Sequence, residues 1–134
     1  MNEQICQILK DSKSIAVLGI SDKPDRDSGR IAQFLVSKGY DIVGVHPLLS
    51  SLGSIPIYKS LINIPTKVDI LDVFINIKHL EPLIAEILEI KPKVVWLQLG
   101  VGYSDKLSLL EDAGITVISD SCIAVMYNYC QHNS

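Results

Sequence analysis

A polar, glycine-bearing loop at residues 19–29 holds the residue types best suited to binding an anion. It follows the apolar run 14–20 and precedes a helical pattern, so the amino end of a helix should lie beside the end of a strand. Such a helix end presents free amides and positive potential to a phosphate, and glycine lets the backbone approach it closely. The residues expected to contribute are Gly19, Ser21, Lys23, Arg26, Ser28 and Gly29. The alternative is a solvated loop in which Ser28 only caps the helix.

His46 ends a second apolar run, at residues 41–46. Its imidazole titrates near neutral pH, which is suited to proton transfer. No nucleophile elbow and no obvious carboxylate partner accompanies it, however. A histidine that lines a ligand or caps the strand is therefore favoured over a general base.

The nucleotide-binding motifs with the most specific signatures are missing from the sequence. The G-x-G-x-x-G loop is absent, and the second apolar run ends in His46-Pro47 instead of the acidic residue that would hold an adenosine ribose. Both observations argue against NAD. The G-x-x-x-x-G-K-[ST] loop is also absent, which excludes a P-loop nucleotide hydrolase.

Asp69 and Asp72 lie in or near a third apolar run. A phosphoacceptor site would need acidic residues at the ends of two strands, but this run ends in Phe74-Ile75-Asn76. The two aspartates are therefore expected to make strand-end or loop contacts. Trp96, inside another apolar run, is expected in the core.

The cysteines show no spacing typical of a metal site, so no metal is expected. Their odd number favours reduced thiols in a cytoplasmic protein. The first residues also lack the basic start and apolar stretch of a signal peptide. These cysteines are Cys6, Cys122 and Cys130.

Apolar runs and helical patterns alternate along the chain. The apolar runs predict five strands, at 14–20, 41–46, 68–75, 93–99 and 115–119. Helical spacing predicts helices at 2–11, before Gly39, at 80–88, after Ser104 and at 122–129. Short connections between strands and helices are typical of βαβ units with right-handed crossovers. The predicted fold is a three-layer α/β, Rossmann-like domain over residues 1–134, with a mostly parallel five-stranded sheet in the order 3-2-1-4-5. A flavodoxin-like order is the alternative.

Composition agrees with this fold and limits the partners. The chain has 134 residues, of which 48% are hydrophobic, and its mean hydropathy is +0.30. No apolar run approaches the roughly 20 residues that span a bilayer, so the excess should lie in a buried parallel sheet of a soluble protein. A net charge of −3 without a basic stripe makes nucleic acid an unsuitable partner.

Taken in order, the segments resemble the small stand-alone CoA-binding proteins, which are relatives of the CoA-binding domain of succinyl-CoA synthetase α subunits and acyl-CoA synthetases. The most specific segment is KVVWLQLGV (93–101). The others are IAVLGIS (15–21), RDSG (26–29), GYDIVGVHP (39–47), VDILDVF (68–74) and GITVISDSC (114–122).

The resemblance implies that CoA or an acyl-CoA binds across the carboxyl ends of the strands. The residues that would face its phosphates are Gly19, Ile20, Ser21 and Lys23, with Arg26, Ser28 and Gly29 completing the pocket. The nucleotide or pantetheine path would be lined by His46, Pro47, Phe74, Ile75 and Asn76. The family usually has Asn at position 46, Pro at position 27 and Arg at position 121. This chain has His46, Asp27 and Ser121 there. Asp27 adds an anion beside the expected phosphate site, and Ser121 removes a cation near the end of the fifth predicted strand.

In the synthetases, ligation depends on a phosphorylated histidine in a second domain, and this protein is expected to lack such a domain. The resemblance therefore implies binding without catalysis, by a protein that could form a homodimer or have a partner protein. Three alternatives remain open: a subunit of an acyl-CoA ligase, a binder of NAD(P) or another nucleotide, and redox regulation through a mixed disulfide at Cys122.

Overall fold

The structure is a computed structural model that describes residues 2–133. Seven strands form its central sheet. They are β1 (Ser14–Leu18), β2 (Asp41–Val45), β3 (Ser51–Leu52), β4 (Ile55–Tyr58), β5 (Ile70–Val73), β6 (Val94–Leu97) and β7 (Thr116–Ile118). The α-helices are α1 (Asn2–Asp11), α2 (Asp27–Ser37), α3 (Ile77–Leu80), α4 (Ile84–Ile90), α5 (Ser108–Asp112) and α6 (Ile123–His132). Short 3-10 helices cover Leu61–Asn63, Glu81–Leu83 and Asp105–Leu107.

The strand order is β3-β4-β2-β1-β5-β6-β7, and only the β3–β4 pair is antiparallel. The α/β, Rossmann-like class with a mostly parallel sheet is confirmed. The predicted count of five strands is wrong, because the sheet also contains β3 and β4. The two residues of β3 are too few for a pattern, and residues 55–58 give only a short extended piece with Pro56 inside it, which weakens the strand signal. The predicted order 3-2-1-4-5 is also wrong: the five predicted strands stand in the order 2-1-3-4-5, which is the flavodoxin-like alternative. With β4 counted as the third strand, the six parallel strands run 3-2-1-4-5-6.

Helices cover both faces of the sheet, as the double-sided burial of its strands requires. On one face α1, α2 and α6 pack over Val17, Ile70 and Trp96. On the other face α3, α4 and α5 pack over alternate residues of the same strands, such as Leu71 and Val95. All four residues of β5 and of β6 are buried. The ends of these strands are therefore held in place by a packed core on both faces of the sheet.

The helix predicted at residues 80–88 is broken into three pieces. Pro82 lies in the 3-10 turn Glu81–Leu83, between α3 and α4. Its ring cannot continue an α-helical hydrogen-bond ladder, which explains the break. Ser104, by contrast, caps a helical turn as predicted, since its Oγ accepts a hydrogen bond from the Lys106 N–H at 3.2 Å.

A disulfide joins Cys6 of α1 to Cys130 of α6, which are separated by 124 residues in sequence. The prediction that all the cysteines are reduced is therefore wrong for this pair. Sequence spacing could not reveal the pair, because the two helices meet only when they pack on the same face of the sheet. Cys122 keeps a free thiol.

Within residues 2–133, none of the helices has the length and apolar character needed to cross a membrane.

Candidate functional site at the carboxyl ends of the strands

Gly19 lies where the ends of β1, β2 and β5 meet. Its N–H donates to the Val45 carbonyl at 3.0 Å, and its φ of +87° lies in the left-handed region that favours glycine. A Cβ at this position would come within 2.7 Å of Ile75 Cγ2. Glycine is therefore required here, and the packing brings the predicted residues Gly19 and Ile75 together.

Ser21 and Gly29 bring the loop against the first turn of α2. A Cβ on Gly29 would approach the Ser21 carbonyl oxygen more closely than real Cβ atoms do. The Ser21 Oγ accepts a hydrogen bond from the Lys23 N–H at 3.1 Å, which shapes the exposed part of the loop. Ile20 has no exposed surface and packs on Gly44 in the core, so only its backbone is placed to face a ligand.

The amino end of α2 has no side-chain cap. Its N-cap residue is Arg26, with extended backbone and no capping hydrogen bond from its side chain. Ser28 is the second residue of the helix and is buried, so the alternative in which Ser28 caps the helix is wrong. The first-turn amides of α2 therefore lack the side-chain acceptor that usually satisfies one of them.

Charged side chains surround this uncapped helix end. Lys23 and Arg26 are both exposed, and Asp27 forms an ion pair with Arg30. Arg30 Nη1 also donates to the Pro24 carbonyl at 2.8 Å, so this side chain ties the loop to the helix. Sequence reasoning missed Arg30, although the Asp27–Arg30 spacing of three residues on a helix was available as a signal. This ion pair with Arg30 partly offsets the negative charge that Asp27 brings to the helix end.

His46 organises the loop after β2. Its Nδ1 accepts hydrogen bonds from the N–H groups of Leu48 and Leu49, at 3.0 and 3.1 Å. The ring is partly exposed and Pro47 is exposed. The capping role is confirmed. It uses Nδ1, which is one of the two ring nitrogens that could otherwise act as a base.

Phe74, Ile75 and Asn76 line a small cleft between the ends of β5 and β6. Its volume is about 120 Å³, and Gln98, Leu99 and the backbone of Gly100 and Val101 form the other wall. The Asn76 Oδ1 accepts from the Lys78 N–H at 3.0 Å and so caps α3. No residue of loop 19–29 lines this cleft. The predicted site residues therefore share one edge of the sheet without forming one enclosed pocket.

Beneath that cleft lies a buried polar pair that the sequence did not reveal. Gln98 Nε2 donates to Asp72 Oδ1 at 2.6 Å, and within residues 2–133 the Asp72 Oδ2 is buried with no hydrogen-bond partner. Burial raises the pKa of Asp72 to about 7, although the hydrogen bond from Gln98 acts in the opposite direction. The prediction of a strand-end or loop contact is wrong for Asp72, which lies inside β5.

Asp69 makes the strand-end contact that was predicted. Its Oδ2 accepts from the N–H groups of Lys13 and Ser14, at 2.8 and 3.2 Å, and its Oδ1 lies 3.6 Å from Lys93 Nζ. Burial alone would raise the pKa of Asp69, but these hydrogen bonds and the Lys93 charge hold it below its usual value.

The segment after β7 is anchored to the core by the only tryptophan in the sequence. Trp96 is fully buried, as predicted, and its Nε1 donates to the Ser121 carbonyl at 2.9 Å. Ser121 Oγ donates to the Ser119 carbonyl at 3.1 Å. Cys122 is the N-cap residue of α6 and is partly exposed. This segment therefore brings a hydroxyl and a free thiol to the same edge.

Residues 13–128 match the family described as the CoA binding domain. The chain belongs to the CoA-binding domain family. The match covers the whole sheet and α2 to α5, and it includes all the site residues predicted above.

Two similar proteins align over nearly the whole chain. The CoA-binding domain is 36% identical over 124 residues to the Bacillus subtilis (strain 168) protein YneT, described as uncharacterized, with 92% of each chain covered. It superimposes on a Thermus thermophilus protein titled cell-free ID.343 with a TM-score of 0.92 and 31% identity, covering 97% of this chain and 98% of that one.

The same fold also occurs inside a large enzyme. The apo acetyl-coenzyme A synthetase 1 of Ca. Korarchaeum cryptofilum matches with a TM-score of 0.70 and 18% identity, over 83% of this chain but 26% of that chain. At this identity the likeness shows the fold alone.

Proposed function

We propose that this protein binds CoA or an acyl-CoA across the carboxyl ends of β1, β2 and β5, without catalysing a reaction on it. The observation that carries the proposal is the uncapped amino end of α2, set against a loop whose glycines permit close backbone approach. Membership of the CoA-binding domain family supports the choice of ligand.

The residues at the helix end fit a phosphate-bearing ligand. First-turn amides without a side-chain cap can donate to phosphate oxygens, and the helix dipole favours negative charge there. Lys23 and Arg26 are exposed beside these amides and would add two positive charges. A cation beside oriented amides binds phosphate without requiring a basic protein overall.

The rest of the ligand would lie along an open surface. A drug-sized ligand usually occupies a pocket of roughly 300–1,000 Å³, whereas the cleft beside Phe74 and Asn76 measures about 120 Å³. We therefore place the adenosine or pantetheine portion across His46–Pro47 and Phe74–Asn76, as an extended chain on the strand ends. When bound, CoA would supply a terminal thiol able to carry an acyl group.

Two features support a binding role over catalysis. His46 Nδ1 is occupied by two backbone N–H groups, so the ring is committed to holding its loop. The buried carboxyl of Asp72 pairs with Gln98 and lies beneath the cleft wall, not on the exposed edge.

A thermal-shift panel with CoA, acetyl-CoA, NAD and ATP tests the choice of ligand. A ligand at a hundredfold excess over its Kd stabilises the folded state by about 2.7 kcal/mol. We expect a selective shift with CoA or acetyl-CoA, smaller in Lys23→Glu and unchanged in Lys67→Glu, which reverses an exposed charge at the opposite edge of the sheet. A larger shift with NAD would reject the proposal.

A second candidate is a subunit that works with a partner chain in an acyl-CoA ligase. Large apolar side chains are exposed on loops that follow strands at the same edge, with Leu99 63% and Tyr103 71% exposed. Isolated patches of this kind mark protein interfaces in many proteins. This candidate would be favoured if a second protein co-purifies with the wild type but not with a Leu99→Ser, Tyr103→Ser variant. Purification of the wild-type protein from its cells without any bound partner would count against it.

A further inference from the structure

A cleft of about 1,080 Å³ opens at the amino ends of β1 and β2, on the opposite edge from the proposed CoA site. Its walls come from α1, α6 and the turn between α2 and β2. The volume is at the upper end of the range for small-molecule sites. A tripeptide-sized solute therefore has room to enter.

The disulfide between Cys6 and Cys130 forms part of the cleft wall. The two cysteines differ in exposure, since Cys6 is partly exposed whereas Cys130 is 7% exposed. A thiol in the cleft would therefore reach the bridge from the Cys6 side. A disulfide reacts only when its sulfur is accessible to an attacking thiolate.

Among residues 2–133, the side chains that line the cleft carry more positive than negative charge. Three lysines line it, against the carboxylates of Glu3 and Asp41. One of the lysines is held in place, because Lys38 Nζ lies 5.9 Å from the centroid of the Tyr127 ring. The other two are Lys10 and Lys13, both exposed. Nearby cations attract an acidic solute and stabilise thiolates, including the one that leaves during exchange.

From these observations we propose that the Cys6–Cys130 bridge is a thiol–disulfide exchange site for an acidic thiol of low molecular weight. The thiolate of the incoming thiol attacks Sγ of Cys6, and the sulfur–sulfur bond to Cys130 breaks. Cys130 leaves as a thiolate and takes up a proton, while Cys6 holds a mixed disulfide. A second thiol then attacks that mixed disulfide, releasing the oxidised thiol dimer and leaving both cysteines reduced. The two thiols together supply the two electrons.

Exchange would release the first helix from the last. The bridge links α1 covalently to α6, and the two helices also pack against each other. The amino end of α6, which follows its N-cap residue Cys122, lies near the proposed CoA site. Reduction of the bridge therefore changes how the carboxyl-terminal part of α6 is held, and the amino end of the same helix lies near the proposed CoA site.

The kinetics of reduction test the proposal on the oxidised full-length protein in a Cys122→Ser background, which removes the free thiol. The protein is treated separately with glutathione, CoA and the neutral thiol 2-mercaptoethanol. Each reaction is quenched with acid and followed by intact-mass spectrometry of the protein. We expect a mixed disulfide on Cys6, whose adduct mass identifies the thiol, and a rate that rises linearly with thiol concentration under native conditions. A rate that levels off at the independently measured rate of global unfolding would overturn the proposal, because the bridge would then react only in unfolded molecules.

Charge reversal in the cleft tests the preference for an acidic thiol. In Lys10→Glu, Lys13→Glu protein we expect the glutathione rate to fall about fivefold relative to the 2-mercaptoethanol rate. Lys67→Glu lies outside the cleft and should leave that ratio unchanged. An equal effect on both thiols would overturn the assignment of an acidic ligand. CoA binding at the other edge is not required for either result.

Discussion

The Ser21 carbonyl oxygen lies so close to Gly29 that a Cβ on residue 29 would come within 3.0 Å of it. This contact sets the distance between the β1–α2 loop and the first turn of α2. The helix end and the loop therefore form one unit, and a change at residue 29 must move one of them.

Replacing Gly29 with alanine should weaken CoA binding by displacing that helix end. Alanine is a better helix former than glycine, so propensity alone would stabilise α2 by up to about 1 kcal/mol. We expect the backbone clash to outweigh that gain, giving a lower Tm together with a raised Kd for CoA in calorimetry. Gly114→Ala is the matched control, since Cβ there meets nothing within 4 Å and only the φ of +87° is strained. If Gly29→Ala proves more stable and binds normally, the contact has no structural importance.

His46 should be replaceable by asparagine but not by alanine. The Asn Oδ1 can take the place of His46 Nδ1 as acceptor for the Leu48 and Leu49 N–H groups. His46→Ala leaves those donors to water and should cost about 1 kcal/mol. Urea unfolding measures both variants. Equal losses in the two would show that the hydrogen bonds to Nδ1 contribute nothing.

Asp72 should make the protein less stable as pH rises. Its pKa is raised from 3.8 to about 7 in the folded state, so the folded protein holds the proton more tightly than the unfolded chain. The full stability is present below about pH 4, falls as pH rises to about 7, and then levels off. Since one pKa unit corresponds to about 1.4 kcal/mol, the free energy of unfolding should fall by a few kcal/mol over this pH range.

The variant Asp72→Asn should therefore lose this pH dependence and exceed the wild type in stability at pH 8. Asp69→Asn, three positions earlier in the chain, is an informative comparison. The pKa of Asp69 is lowered, so its contribution is present at neutral pH and is lost on acidification. Urea unfolding from about pH 2 to 8 should show the Asp69→Asn difference from wild type changing below about pH 4, and the Asp72→Asn difference changing in the opposite direction between about pH 4 and 7. Parallel trends would contradict the assigned burial of Asp72.

Much of the fold could be predicted because parallel strands buried on both faces leave continuous apolar runs. Residues 68–75 and 93–99 were recognised in this way, and β5 and β6 lie within them. Strand order is not encoded in such runs, since central strands such as β1, β5 and β6 are buried in the same way. The two-residue strand β3 was too short to leave a pattern.

The candidate site was predictable where a residue acts locally. Gly19 and His46 stand at strand ends, where their chemistry concerns residues a few positions away. The Asp72–Gln98 pair depends on the register between β5 and β6, which aligns Asp72 with Trp96. The Cys6–Cys130 bridge depends likewise on helix packing. Neither pairing is visible before the chain is folded.

The central claim is that the α2 amino end binds the phosphates of CoA. The most direct test is isothermal titration of CoA into wild type, Arg26→Glu and Lys67→Glu. Both variants reverse one exposed charge, but only Arg26 lies at the helix end. We predict that the wild type and Lys67→Glu bind alike and that Arg26→Glu binds at least about tenfold more weakly, which corresponds to about 1.4 kcal/mol. Equal affinities in all three proteins, or no heat of binding in any of them, would contradict the account.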